Sequence, residues 1–274
     1  IMMAYDDVAN NNENPFPGKL FNKPTAAGTP GADVYAGCNI DYKGKDVTPE
    51  NFLAVLTGTA KGKKLQSTED DNVFVSFFDH GAPGLIAFPT GAGELHKADL
   101  QGAFATMHSN KMYKKLTFYL ESCESGSMFQ GLSVPGVYGV SAANPTESSW
   151  GTYCGSDAMV DGKNVGSCLG DLFSVNWLED SDANDLTKET LDSQYQAVKT
   201  LTAKSHVMQW GDVTYTSDEA GDFIGVNDES AINGGRPQVT LPVNSVSARQ
   251  VDLKRLYEKY VNAKYSSARL AAGR

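Results

Sequence analysis

Positive charge is scarce in this sequence. Lys and Arg number 23 against 33 Asp and Glu, a net charge of −10 over 274 residues. Neutralising phosphates needs a basic footprint, so no nucleic-acid partner is expected, nor attachment to an anionic membrane. No apolar run is long enough to span a bilayer, and no signal-peptide pattern occurs. Four cysteines are too few for a disulfide scaffold. The four histidines and four cysteines show no CxxC or HExxH spacing, so neither a metal nor a cofactor is expected. Glycines such as Gly91-Ala92-Gly93 form no phosphate loop, and Asn144, followed by Pro145, is no usable glycosylation sequon. Hydrophobic residues at 41 % exclude wholesale disorder.

What is present is an alternation of short apolar strands and amphipathic helices. Thr48-Pro49-Glu50 predicts a helix start, with a capping hydroxyl and proline at the first position, and Phe52, Val55 and Leu56 on one face. Asn72 to Phe78 reads as a strand buried on both faces, followed by a helix through Leu100, Ala103, Phe104 and Met107. Strands are expected again at Leu116 to Leu120 and at Val137 to Val140. This order predicts an α/β fold with a mostly parallel sheet covered on both sides. Leu169 to Glu179 and Leu186 to Leu201 predict two more helices, and Val207 to Tyr215 a small hairpin. Thr216 to Ser247 has no periodicity and reads as a linker. Beyond it Leu253, Leu256, Tyr257, Tyr260 and Val261 form one face of a helix whose outer face is basic through Lys254, Arg255, Lys259 and Lys264. Ile1-Met2-Met3-Ala4-Tyr5 reads as a core strand, so a segment upstream of Ile1 is expected.

Reactive groups in an open parallel sheet gather at the carboxyl ends of strands. Two ends stand out: Phe78-Asp79-His80-Gly81 and Leu120-Glu121-Ser122-Cys123-Glu124-Ser125-Gly126-Ser127. A histidine and a cysteine at adjacent strand ends suit a thiol nucleophile served by imidazole. A free thiol has a pKa of about 8.5, so it needs a partner to hold its proton near neutrality. On residue types alone, the alternatives are a small buried Cys and a structural His.

Asp79-His80-Gly81, Glu121-Ser122-Cys123-Glu124-Ser125-Gly126-Ser127, Ala143-Asn144-Pro145 with Glu147-Ser148-Ser149, and Leu169-Gly170-Asp171 resemble the legumains. These are asparaginyl endopeptidases, or vacuolar processing enzymes, clan CD cysteine peptidases. Tyr5-Asp6-Asp7, Val47-Thr48-Pro49-Glu50-Asn51-Phe52, Asn176-Trp177-Leu178-Glu179-Asp180-Ser181-Asp182 and Ser205-His206-Val207-Met208-Gln209 extend the resemblance over about the first 215 residues.

The resemblance implies a caspase-like three-layer α/β/α sandwich over residues 1–215, a linker or activation region over 216–248, and the start of a carboxyl-terminal prodomain helix over 249–274. Cys123 becomes the nucleophile, His80 the general base and acid, and the N–H groups of Gly81 and Cys123 the oxyanion hole. Glu121, Ser149 and Asp171, with Ser148 beside them, line a pocket for asparagine, or for protonated aspartate at low pH. Further pocket and His-orienting residues of the family come from a segment preceding Ile1, without which the chain is expected to be inactive. Cys154 and Cys168 match a pair seen in plant-type members, and Cys38 has no obvious partner. Asn227, Asn233 and Asn244 become candidate autoprocessing sites of a zymogen. The implied partners are peptides with an accessible Asn, the protein's own propeptide and cystatin-type inhibitors. The implied compartment is an endolysosomal or vacuolar lumen, or the exterior. Peptide ligation is a related outcome. The rival expectations are the catalytic subunit of a lipid-anchor (GPI) transamidase and a catalytically dead, protein-binding homologue.

Overall fold

The computed structural model describes residues 1–5, 10–25, 28–89, 91–226 and 244–263. The chain divides into two compact units that do not follow sequence order. The first comprises 1–6, 39–149 and 173–239, the second 7–38, 150–172 and 240–274.

The first unit opens with β1 (Met3–Ala4), β2 (Tyr42–Lys43), α1 (Pro49–Leu56) and β3 (Asn72–Phe78). A small antiparallel sheet follows, of β4 (Gly81–Ala82), β5 (Leu85–Ala87) and β6 (Glu94–His96). Next come α2 (Lys97–Ser109), β7 (Lys115–Glu121), the one-turn α3 (Gly126–Phe129) and β8 (Val137–Ser141). The second unit then supplies β9 (Trp150–Thr152), β10 (Met159–Val160), β11 (Lys163–Asn164) and β12 (Gly170–Asp171). The chain re-enters the first unit through α4 (Leu172–Ala183), α5 (Leu191–Leu201), β13 (Met208–Gly211) and α6 (Gly221–Ile224). It ends in the second with β14 (Val246–Ser247) and α7 (Val251–Asn262).

The sheet that positions the chemistry has the order β13-β8-β7-β3. β3, β7 and β8 run parallel, and β13 joins β8 antiparallel. Side chains alternate across β7. Leu116, Phe118 and Leu120 enter one core with Leu100, Phe104 and Met107 of α2, while Tyr119 enters another with Phe173 and Trp177 of α4 and Tyr195 of α5. Helices thus cover both faces, as an α/β/α sandwich requires. Phe118 packs edge-on against Phe104 and Phe129 at 5.8 and 5.7 Å. Burying each such ring contributes on the order of 1.5–3 kcal/mol.

Local signals set the helix starts. The Thr48 hydroxyl accepts from Asn51 N–H, with Pro49 in the first turn. Thr190 and Ser193 form a reciprocal cap, so α5 starts at Leu191 rather than at the expected Leu186. α4 begins at Leu172, later than Leu169, because Gly170 and Asp171 pair with Thr152 and Gly151.

Two other expectations are corrected. β3 is not buried on both faces: it is the sheet edge among the described residues, and Phe78 is 68 % exposed. Residues 207–215 hold the single strand Met208–Gly211 followed by a turn, rather than a hairpin. Gly211 turns at φ +73°, Asp212 accepts from Gly136 N–H, and the buried Tyr215 hydroxyl bonds the Leu116 carbonyl. Within the stretch read as a linker, residues 216–226 are folded. Ala220 is fully buried, Glu219 bridges Thr190, and Asp218 pairs with Lys115.

In the second unit β9 pairs antiparallel with both β12 and β14. A disulfide joins Cys154 to Cys168. α7 is amphipathic, but Leu253, Leu256, Tyr257, Tyr260 and Val261 are exposed, against the expectation that they form an inner face. Its cations pair with Glu13 instead: Lys259 bonds both Glu13 carboxylate oxygens at 2.8 and 2.9 Å, and the half-buried Arg255 lies 3.5 Å from Glu13. Among the described residues no helix is long and apolar enough to cross a membrane.

Candidate active site

The register of the central sheet brings two reactive strand ends side by side. Phe78, the last residue of β3, pairs with Glu121, the last of β7. His80 and Cys123 each stand two residues further on. The pairing continues past the strands, since Asp79 N–H donates to the Glu121 carbonyl at 3.2 Å. The His80 side chain is exposed, while Cys123 is buried at 1 % exposure.

Gly81 approaches Cys123 at backbone distance. A β-carbon at Gly81 would lie 2.3 Å from the Cys123 carbonyl oxygen and 2.7 Å from Ser122 Oγ. Asp79 accepts from His80 N–H at 2.6 Å. Crowding by protein raises the Asp79 pKa, against the opposing pull of that bond and of the His80 charge.

Cys123 sits at the start of a strained turn. Glu124 adopts φ +49°, a left-handed conformation costing a side-chain-bearing residue about 1–2 kcal/mol. The turn is over-determined. Glu124 N–H donates to the Glu147 carbonyl at 2.7 Å, Gly126 N–H to Ala143, and Ser125 Oγ accepts from Ala143 N–H. These bonds bring the 142–149 loop against the turn that follows Cys123. Cys123 Sγ then lies 3.2 Å from Ser148 Oγ and 3.7 Å from Ser149 Oγ.

Glu121 is 3 % exposed and accepts from both the N–H and the hydroxyl of Ser174, at 2.8 and 3.0 Å. Ser174 lies in the first turn of α4, where unpaired amides favour an anion. Asp171, in β12 opposite Gly151, belongs to the second unit. Asn244 is described, its carbonyl accepting from Cys154 N–H and its amide donating to Ser156. Asn227 and Asn233 lie outside the described residues. Cys38 and Cys123 are unbridged. Among the described residues no group of three or more His, Cys, Asp or Glu gathers as a metal-ligand set.

The profile of the Peptidase C13 family matches residues 1–226. The chain belongs to this family. Mouse "Legumain" is 46 % identical over 248 residues, covering 88 % of this chain and 54 % of the relative. The "Hemoglobinase" of Schistosoma mansoni is 43 % identical over 263 residues, covering 94 % and 58 %. The "Vacuolar-processing enzyme" of Citrus sinensis is 39 % identical over 293 residues, covering 99 % and 57 %. The chain thus spans just over half the length of these curated relatives. The α/β architecture with a mostly parallel sheet agrees with the caspase-like fold expected of a Peptidase C13 member.

Four residues near this candidate site had no assigned role on sequence grounds: Asp79, Glu147, Ser174 and His206. Ser174 was legible in principle, because a carboxylate at a strand end beside a new helix start is a common pairing. The Glu147–His206 pair was not, since 59 residues separate the partners.

Proposed function

We propose that this chain carries the catalytic machinery of a cysteine endopeptidase that cleaves after asparagine. The Phe78–Glu121 register carries this reading, because it sets His80 and Cys123 at neighbouring strand ends with small residues around them. The Cys123 thiol passes its proton to the His80 imidazole and attacks the scissile carbonyl. Gly81 and Cys123 N–H groups stabilise the oxyanion. The imidazolium then protonates the leaving amine, and water releases the acyl group from sulfur. An amine in place of water gives ligation.

Glu121, Ser148 and Ser149 form the proposed asparagine pocket, and Asp171 is assigned the same role by its motif alone. Anionic residues accept from a carboxamide NH2 and repel an ionised aspartate, which becomes acceptable once protonated near its pKa of about 3.9. The name of the Citrus relative, a vacuolar-processing enzyme, supports a vacuolar lumen as the place of action, with a lysosomal lumen or the exterior as the alternatives of the same reading. Within the same reading the protein is a zymogen, inhibited by its own propeptide and by cystatin-type proteins.

A thiol-reactive probe ending in asparagine tests this on the full-length protein. Labelling that maps to Cys123 and disappears in Cys123→Ala is expected. Labelling or turnover that persists in Cys123→Ala overturns the reading.

A further inference from the structure

One carboxylate outside the proposed dyad ties the 144–149 loop to His206, and its residue's backbone holds the turn after Cys123. Glu147 Oε1 accepts from Asn144 N–H at 2.8 Å and from His206 N–H at 2.7 Å, while Oε2 meets His206 Nδ1 at 2.9 Å. Its own carbonyl accepts from Glu124 N–H, one residue past Cys123. The next residue is Ser148, whose hydroxyl stands on the Cys123 sulfur.

The Ser148 hydroxyl has one proton and two claims on it. Its oxygen lies 2.9 Å from the Ser149 carbonyl, to which it donates, and 3.2 Å from Cys123 Sγ. While sulfur holds a proton, S–H donates to Ser148 Oγ and Ser148 O–H donates to Ser149 O. Once that proton has left for the imidazole, a rotation about Cβ–Oγ turns the Ser148 O–H onto the thiolate. No covalent bond of Ser148 breaks, and the hydrogen bond to the Ser149 carbonyl is exchanged for one to sulfur. A hydrogen bond to the charged form of a group favours that form.

We propose that Glu147 is a positioning residue for the Cys123 nucleophile, its carboxylate fixing the 144–149 loop so that the Ser148 hydroxyl stays within reach of the sulfur and donates to the thiolate. His206 completes the clamp as donor to Glu147. This deepens the peptidase reading and rests on it. The assignment differs from a pocket role for Ser148, because it acts on the sulfur before any substrate is present. The charged groups around Cys123 are Asp79 and His80 from the end of β3, Glu121 and Glu124 beside it in sequence, and Glu147 with His206 from the two loops.

The experiment uses full-length protein as wild type, E147A, E147Q, S148A and C123A. The rate of Cys123 carboxymethylation by iodoacetamide is followed across pH and mapped by peptide mass spectrometry. Turnover of an asparagine-ending fluorogenic peptide is measured in parallel. A misplacement of about 1 Å costs about 100-fold in rate, so a fall of that order in kcat with a much smaller change in KM is expected for E147A. The rise of its alkylation rate with pH moves to higher pH, and S148A shows the same displacement. E147Q keeps an acceptor for the two backbone donors and recovers most of the loss. Should E147A fail to fold, S148A carries the test through the alkylation profile. Alkylation profiles that coincide with wild type in E147A and in S148A (in S148A alone, if E147A does not fold) overturn the positioning role, as does a loss confined to KM. Full turnover by C123A overturns the peptidase reading instead.

Discussion

Gly81 and Cys123 meet where no larger pair would fit, with the position of a Gly81 β-carbon only 2.3 Å from the Cys123 carbonyl oxygen. The obstacle is backbone, held by the parallel pairing of β3 with β7, so it cannot swing aside like a flexible side chain. Gly81→Ala is expected to destabilise the first unit by about 1–3 kcal/mol, the usual cost of overpacking. It should reduce kcat more than KM, because the two strand ends carrying His80 and Cys123 are pushed apart. Thermal denaturation and steady-state kinetics together check this, and an active, fully stable Gly81→Ala would contradict it.

Thiol chemistry should separate the four cysteines into three behaviours. Cys38 is exposed and Cys123 buried, while Cys154 and Cys168 are bonded to each other. Unfolded, unreduced protein is expected to titrate two thiols, and native protein one fast and one slow. Reducing the bridge removes a loop constraint worth about 3 kcal/mol for roughly 15 residues. A count of four free thiols without reductant would remove the disulfide.

Selectivity should depend on the charge at Glu121. Glu121→Gln keeps an acceptor for Ser174 and loses the anion. A hydrogen bond to a charged group is worth about 1.5–3 kcal/mol, so kcat/KM on asparagine peptides should drop about 10- to 100-fold. The penalty on ionised aspartate should shrink as the repulsion goes. An unchanged ratio of asparagine to aspartate cleavage across pH would count against a pocket at Glu121.

Acid should loosen the clamp at Glu147. Burial alone would raise its pKa, but the Asn144 N–H, the His206 ring and N–H, and the His206 charge together bring it below the ordinary 4.5. A depressed carboxylate pKa means that the ionised form is the one the fold binds. Its contribution is complete above about pH 4.5 and disappears as pH falls through the lower native value. Glu147→Gln should therefore be less stable than wild type at neutral pH and approach it in acid, as urea denaturation at several pH values would show.

Much of the sheet was legible because apolar runs such as Leu116 to Leu120 have no other explanation in a polar chain. The two strand ends were legible for the same reason, each being a reactive residue directly after such a run. β3 was misread, since the sequence Asn72 to Phe78 does not say how many neighbours a strand will have. The hairpin at 207–215 was misread because a Gly-Asp pair marks a turn of the chain whether or not a second strand follows. The helix at 251–262 had the right period but the wrong inward face. Periodicity locates a stripe, while Glu13, far away in sequence, attracts Lys259 and Arg255 to its side. Glu147 went unassigned because its partner comes from a distant loop, and nothing short-range announces such a bond.

The border strand carries a practical consequence. Asn72–Phe78 presents one row of peptide groups to no neighbouring strand among the described residues, ending in a phenylalanine that is mostly bare. Such a rim invites a foreign ribbon to zip on, and concentrated preparations of this chain should cloud or form chains through it. Ser76, exposed midway along the rim, is the place for a lysine that would keep copies apart without entering either core.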